Sequence, residues 1–165
     1  MCIRKQKIFT VRSLLVLLIL VFAFHCVSEA IDNKGKIGIG LNYPGVGIRY
    51  GLTKKFTLEA KGQFGSDISL GGLRVYYNFK SPERINLFGG LEGDYVNFKG
   101  EKSEGTGYVT EVFLGGEYFT TKRLALQLDF GPAFISLTDK NTQVKQEGVE
   151  YVVNFGINYY FGGAQ

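Results

Sequence analysis

Val149–Phe161 reads VEYVVNFGINYYF, and its alternation decides the fold. Successive side chains of a β-strand point to opposite faces. Val149, Tyr151, Val153, Phe155, Ile157, Tyr159 and Phe161 therefore share one face, all apolar or aromatic. Glu150, Val152, Asn154, Gly156, Asn158 and Tyr160 share the other, which is mostly polar. A period of two held over thirteen residues is a strand with two unlike faces, not a helix.

Working back toward the N-terminus, the same pattern predicts seven more strands: Lys36–Tyr43, Val46–Leu52, Phe56–Phe64, Ile68–Phe79, Ile85–Phe98, Tyr108–Thr120 and Leu124–Thr138. The breaks hold Gly, Pro, Asn, Asp or clustered charge, residues that favour turns. Two breaks are long, Lys99–Gly107 (KGEKSEGTG) and Asp139–Gly148 (DKNTQVKQEG). Long loops at one end and short turns at the other is the pattern of an outer-membrane barrel. The expected fold is all-β: an eight-stranded antiparallel up-and-down transmembrane β-barrel. Pro132 cannot donate to a ladder, so a bulge is expected at Gly131-Pro132, after which Ile135 and Leu137 take the outer face. Tyr50–Glu59 resembles Tyr118–Gln127, which a duplicated half-barrel or convergent turn chemistry would each explain.

The polar face collects Arg49, Glu59, Lys61, Arg74, Glu92, Asp94, Glu111, Glu117, Asp129 and Glu150. The basic members lie in the first half and most acidic ones in the second, so barrel closure would bring them together across a narrow lumen. Buried charges need such partners. These ten are the expected lumen ion-pair network. Tyr43, Tyr50, Phe56, Phe64, Tyr77, Phe79, Tyr95, Tyr108, Tyr118, Phe134, Tyr151, Tyr159 and Phe161 lie on the apolar face toward the strand ends. They are the expected aromatic girdles at the two membrane interfaces.

Residues 1–30 stand apart. Arg4, Lys5, Lys7 and Arg12 precede the apolar run Leu14–Phe24, and Ser28-Glu29-Ala30 supplies small residues for cleavage. This is the grammar of a secretory signal peptide. Eleven apolar residues are too few to span ~30 Å at ~1.5 Å each. Lipid attachment at Cys26 is disfavoured by the bulky His25 before it. The expected organisation is a signal peptide over 1–30 and an outer-membrane β-barrel domain over 31–165.

Removing the leader leaves 15 basic and 14 acidic residues, so the chain's overall charge of +4 falls to +1 and gives no reason to expect nucleic acid. Both cysteines, Cys2 and Cys26, and the single histidine, His25, go with it. No disulfide, zinc site or histidine-based acid–base chemistry is then expected, and no cofactor.

Phe88-Gly89-Gly90-Leu91-Glu92-Gly93, Leu114-Gly115-Gly116-Glu117-Tyr118-Phe119, Leu126-Gln127-Leu128-Asp129-Phe130-Gly131 and the closing Asn158-Tyr159-Tyr160-Phe161 carry a resemblance over residues 36–161. The chain resembles the outer-membrane β-barrel family of Gram-negative bacteria, whose terminal Phe is similar to the signal read by the barrel-insertion machinery. Enzymes among such barrels rely on an active-site His, which the mature chain lacks, so the expectation is a non-enzymatic monomer with a structural or surface-interaction role, its partners outer-membrane lipid and that machinery. Residues 99–107 and 139–148 are the candidate segments for a surface ligand. The alternatives are a soluble periplasmic lipocalin-like ligand-binding barrel, with its apolar face inward, and a narrow ion or solute channel.

Overall fold

Eight strands form one closed antiparallel ring, each hydrogen-bonded to its neighbours in chain order, with the last against the first. The computed structural model describes residues 32–42, 45–79, 84–100 and 103–162. The proposed signal peptide lies outside these residues. The strands are β1 (Ile37–Asn42), β2 (Gly45–Gly51), β3 (Phe56–Phe64), β4 (Ile68–Asn78), β5 (Ile85–Lys99), β6 (Glu104–Phe119), β7 (Leu124–Asp139) and β8 (Lys145–Phe161). No helix occurs among the described residues.

The register fixes the barrel's dimensions. Directly paired residues lead from Tyr159 through Ile39, Ile48, Ala60, Leu73, Gly93, Thr110 and Phe134 back to β8 at Val149. One circuit thus climbs ten residues along β8. Eight strands with that stagger tilt by about 40° and enclose a cylinder of roughly 8 Å backbone radius. Side chains can fill such an interior.

About half of the two long breaks expected from the sequence is strand. β5 and β6 pair as far as Lys99↔Glu104, and β7 and β8 as far as Thr138↔Lys145. Among the described residues, 104–107 and 145–148 are thus ladder rather than loop. The reason is physical: apolar alternation marks only wall that faces a greasy medium, while a ladder continues into water carrying any polar side chain. At the opposite rim, the β2–β3 and β6–β7 turns share one construction. Thr53 Oγ1 accepts the N–H groups of Lys55 and Phe56, at 3.2 and 3.0 Å. Thr121 Oγ1 accepts those of Arg123 and Leu124 at the same distances. This is the structural content of the internal sequence echo.

The bulge expected at Pro132 is absent. Register is identical on both sides of it, Glu111↔Ala133 and Leu114↔Phe130, and Pro132 stands opposite Tyr151 on β8. Lacking an N–H, Pro132 interrupts the β6–β7 ladder without inserting a residue. Gly131 lets the β6 backbone press into the space a side chain would need. Phe134 therefore stays on the outer wall, and Ile135 and Leu137 are half-buried rather than outward.

Side chains sort by parity around the ring. Ile39, Leu41, Ile48, Leu73, Leu91, Val112, Leu128 and Phe130 are exposed on the outer wall, between 48% and 66%. Arg49, Glu59, Arg74, Asp129 and Asn158 face inward with at most 2% exposure. The core of this barrel is ionic and its surface is greasy.

Candidate functional site

The candidate site is the lumen, and its lower layer is built on Arg49. β2 aims this guanidinium at the axis, where Nη2 meets Glu59 at 2.9 Å and Nη1 reaches Glu117 at 2.8 Å. Glu59 lies beside it on β3, while Glu117 comes from β6 on the far side of the ring. Arg49 also donates to Tyr76 Oη at 2.8 Å, and Tyr76 in turn donates to Glu59. Asn42 donates to the other Glu59 oxygen at 2.7 Å. Glu117 accepts from Asn158 and Tyr160, each at 2.7 Å, and from Asn86 at 3.3 Å. Each carboxylate is thus bound by a cation and by neutral donors, which offsets the several kcal/mol that desolvation costs an ion.

The middle layer centres on Arg74 of β4. Its Nη2 contacts Asp129 of β7 at 2.7 Å. Its Nε lies 2.6 Å from Glu92 of β5, an ion pair too bent to be a straight hydrogen bond. The guanidinium lies over the Phe113 ring at 4.0 Å, a cation–π contact out of water. Above it, Lys61 of β3 pairs with Glu92 and approaches Asp94 at 3.6 Å. Asn154 donates to Asp129 at 2.9 Å and reaches Glu111 at 3.5 Å.

Of the ten residues expected in the network, nine line the lumen. Glu111 does so through Asn154 and within no ion pair among the described residues. Glu150 is the exception. It has inward parity but is exposed, because it sits on the part of β8 that rises above β1, where no strand among the described residues pairs with that edge. Six inward carboxylates, Glu59, Glu92, Asp94, Glu111, Glu117 and Asp129, thus share three cations, Arg49, Lys61 and Arg74. Among the described residues, no group of His, Cys, Asp or Glu is arranged to hold a metal ion.

Sequence reasoning put Tyr160 on the polar face but missed the rest of the aromatic half of the lumen. Tyr76, Phe88 and Phe113 form a buried edge-to-face cluster with centroids 5.1 to 6.1 Å apart. Phe119 stacks on Tyr160 at 5.6 Å near the turn end. Parity held the signal: Phe88 shares a face with Asn86 and Glu92, and Phe113 with Glu111 and Glu117. The lumen glycines work by absence, since a methyl group on Gly47 would overlap the Glu59 carboxylate and one on Gly72 that of Asp94.

On the outer wall, Tyr50, Phe56, Tyr77, Phe79, Tyr118, Tyr159 and Phe161 are exposed near the short-turn rim. Phe56 meets Tyr77 at 5.3 Å, Tyr77 meets Phe79 at 5.5 Å and Tyr159 meets Phe161 at 4.8 Å. Phe64, Tyr95, Tyr108, Phe134 and Tyr151 are exposed higher up, with Tyr95 against Tyr108 at 5.7 Å. Tyr43 lies outside the described residues. Tyr108 and Tyr118 are ten residues apart on β6, a rise of about 25 Å at a ~40° tilt.

No protein-family model and no curated protein sequence matches this chain. Among solved structures, the N-terminal β-barrel domain of Pseudomonas aeruginosa OprF is similar, with a TM-score of 0.54 and 15% identity, covering 78% of this chain and 98% of that domain. At that identity the likeness shows the fold alone.

Proposed function

We propose that this chain is an outer-membrane barrel with a structural or surface-interaction role, its lumen sealed by its own side chains. One observation carries the reading: the wall is apolar outside and ionised inside. A soluble ligand-binding barrel would reverse that order, turning its apolar face to an internal cavity and its charges to water. An apolar belt of this extent is an aggregation hazard in water and a solvent match in lipid. The ~25 Å between the two exposed aromatic levels matches the apolar band of membrane barrels. The export leader over residues 1–30 and the likeness to the OprF barrel domain support the same address.

The layers support a sealed lumen. Arg49 and Arg74 each bridge the cylinder to carboxylates on distant strands, and the Tyr76, Phe88 and Phe113 rings fill the space between. An eight-stranded ring has room for such a filling and little beside it.

Fractionation with a heat-dependent gel shift tests the reading. Extraction only by detergent, with a compact band that slows after boiling, is expected. Release by salt or osmotic shock would overturn it.

A further inference from the structure

β8 is paired unequally on its two sides. β7 follows it from Lys145 to Tyr159, but β1 meets it only from Gly156 to Phe161. Among the described residues, no strand pairs with the β1-facing edge of residues 145–155. The exposures mark the change: Ile157 and Tyr159, beside β1, are 40% and 39% exposed, whereas Tyr151 and Val153 above them are 84% and 71%. Behind this notch a cavity of about 30 Å³ is bordered by Asn42, Lys61, Gln63 and Asn154.

The notch matters if the barrel spans a membrane, and the inference rests on that reading. Six residues of β1 rise about 15 Å, short of the ~25 Å apolar band, whereas Tyr151 stands about 25 Å above Phe161 along β8. The edge from Tyr151 to Phe155 then lies at lipid depth, where each unpaired N–H or C=O costs several kcal/mol.

We propose that this edge receives an extended segment of another polypeptide in which apolar and basic residues alternate. Main-chain pairing would complete the β8 ladder. Its outward residues would continue the apolar surface of Val149, Tyr151 and Val153. Its inward residues would meet the acidic side of the lumen, where Asp94 Oδ1 and Glu111 Oε1 are buried without a donor. Asn154, the inward residue on the edge itself, lies 3.5 Å from Glu111. A second copy fits poorly. Two barrels of like orientation run β8 in the same direction, and tilts of about 40° each would cross the two edges rather than align them.

The test uses the barrel in uncharged phosphatidylcholine vesicles and three eight-residue peptides: alternating Val and Lys, alternating Val and Glu, and a block of four Val followed by four Lys. Solid-state NMR should show backbone-to-backbone strand contacts between the Val–Lys alternation and the edge-facing positions from Tyr151 to Phe155. That peptide should bind about tenfold more tightly than the Val–Glu one, an effect of one well-placed charge pair. Glu111→Gln should cut this preference to about threefold or less while the strand contacts persist. Strand contacts from none of the peptides, or equal contacts from the alternating and block Lys peptides, would overturn the inference. A barrel that does not enter vesicles would instead overturn the membrane reading beneath it.

Discussion

Replacing Arg49 with methionine is expected to be among the most damaging single changes in this chain. The side chain is 2% exposed and holds two carboxylates, Glu59 at 2.9 Å and Glu117 at 2.8 Å. Methionine keeps much of the volume and removes the charge. Glu59 would retain Tyr76 and Asn42 as donors, and Glu117 would retain Asn158, Tyr160 and Asn86. The loss should therefore resemble one broken buried pair rather than two, about 3–5 kcal/mol. Against a total stability of about 5–15 kcal/mol this is a large fraction. With a urea slope of about 2 kcal/mol per molar, the midpoint falls by roughly 1.5–2.5 M. The chain has no Trp, so far-UV circular dichroism and the heat-dependent gel shift in detergent are the suitable probes. The same argument predicts rescue. Adding Glu59→Gln and Glu117→Gln to Arg49→Met removes the orphaned charges and should recover most of the loss, since an entire buried ion cluster is often replaceable at little cost. A single-variant shift under about 0.5 M, or a triple variant no more stable than the single one, would refute the reasoning.

Other expectations can be checked with the same preparation. Leu128→Arg, at a 55% exposed site on the outer wall, should destabilise the vesicle-inserted barrel by about 2–4 kcal/mol, and an unchanged folding equilibrium in vesicles would argue against lipid contact. Gly72→Ala forces a methyl group onto Asp94 and the Gly93 carbonyl and should cost about 1–3 kcal/mol in urea unfolding. Gly93→Ala, with nothing within 4 Å of the added carbon, should change stability by less than about 0.5 kcal/mol. In planar bilayers the native barrel should show no discrete conductance steps, whereas Arg49→Ser combined with Arg74→Ser should introduce them; steady native conductance would contradict a sealed lumen.

Parity made much of this fold legible. In β8, apolar residues fill one face from Val149 to Phe161, and the structure keeps all of them on the outer wall. β3 spans the expected residues, Phe56–Phe64. Pattern failed where its physical cause stopped. Residues 104–107 and 145–148 belong to the ladder but carry no alternation, because they stand above the greasy belt. Pro132 suggested a bulge, yet a missing donor alone removed the rungs. Phe88 and Phe113 are apolar by type, and only their position in the alternation sends them inward.

The sequence by itself determined that strands alternate between an apolar and a charged face, because that property belongs to each strand separately. It also determined which residue types must meet inside. The tertiary structure decided which charge meets which: Arg49 with Glu117 and Arg74 with Asp129 join strands that never touch along the ring. Those pairings depend on the ten-residue stagger at closure, a property of all eight strands together. The same stagger, with a short β1 against a long β8, leaves residues 145–155 of β8 unpaired on one side among the described residues; the alternation shows a short β1 but not which strand it leaves uncovered.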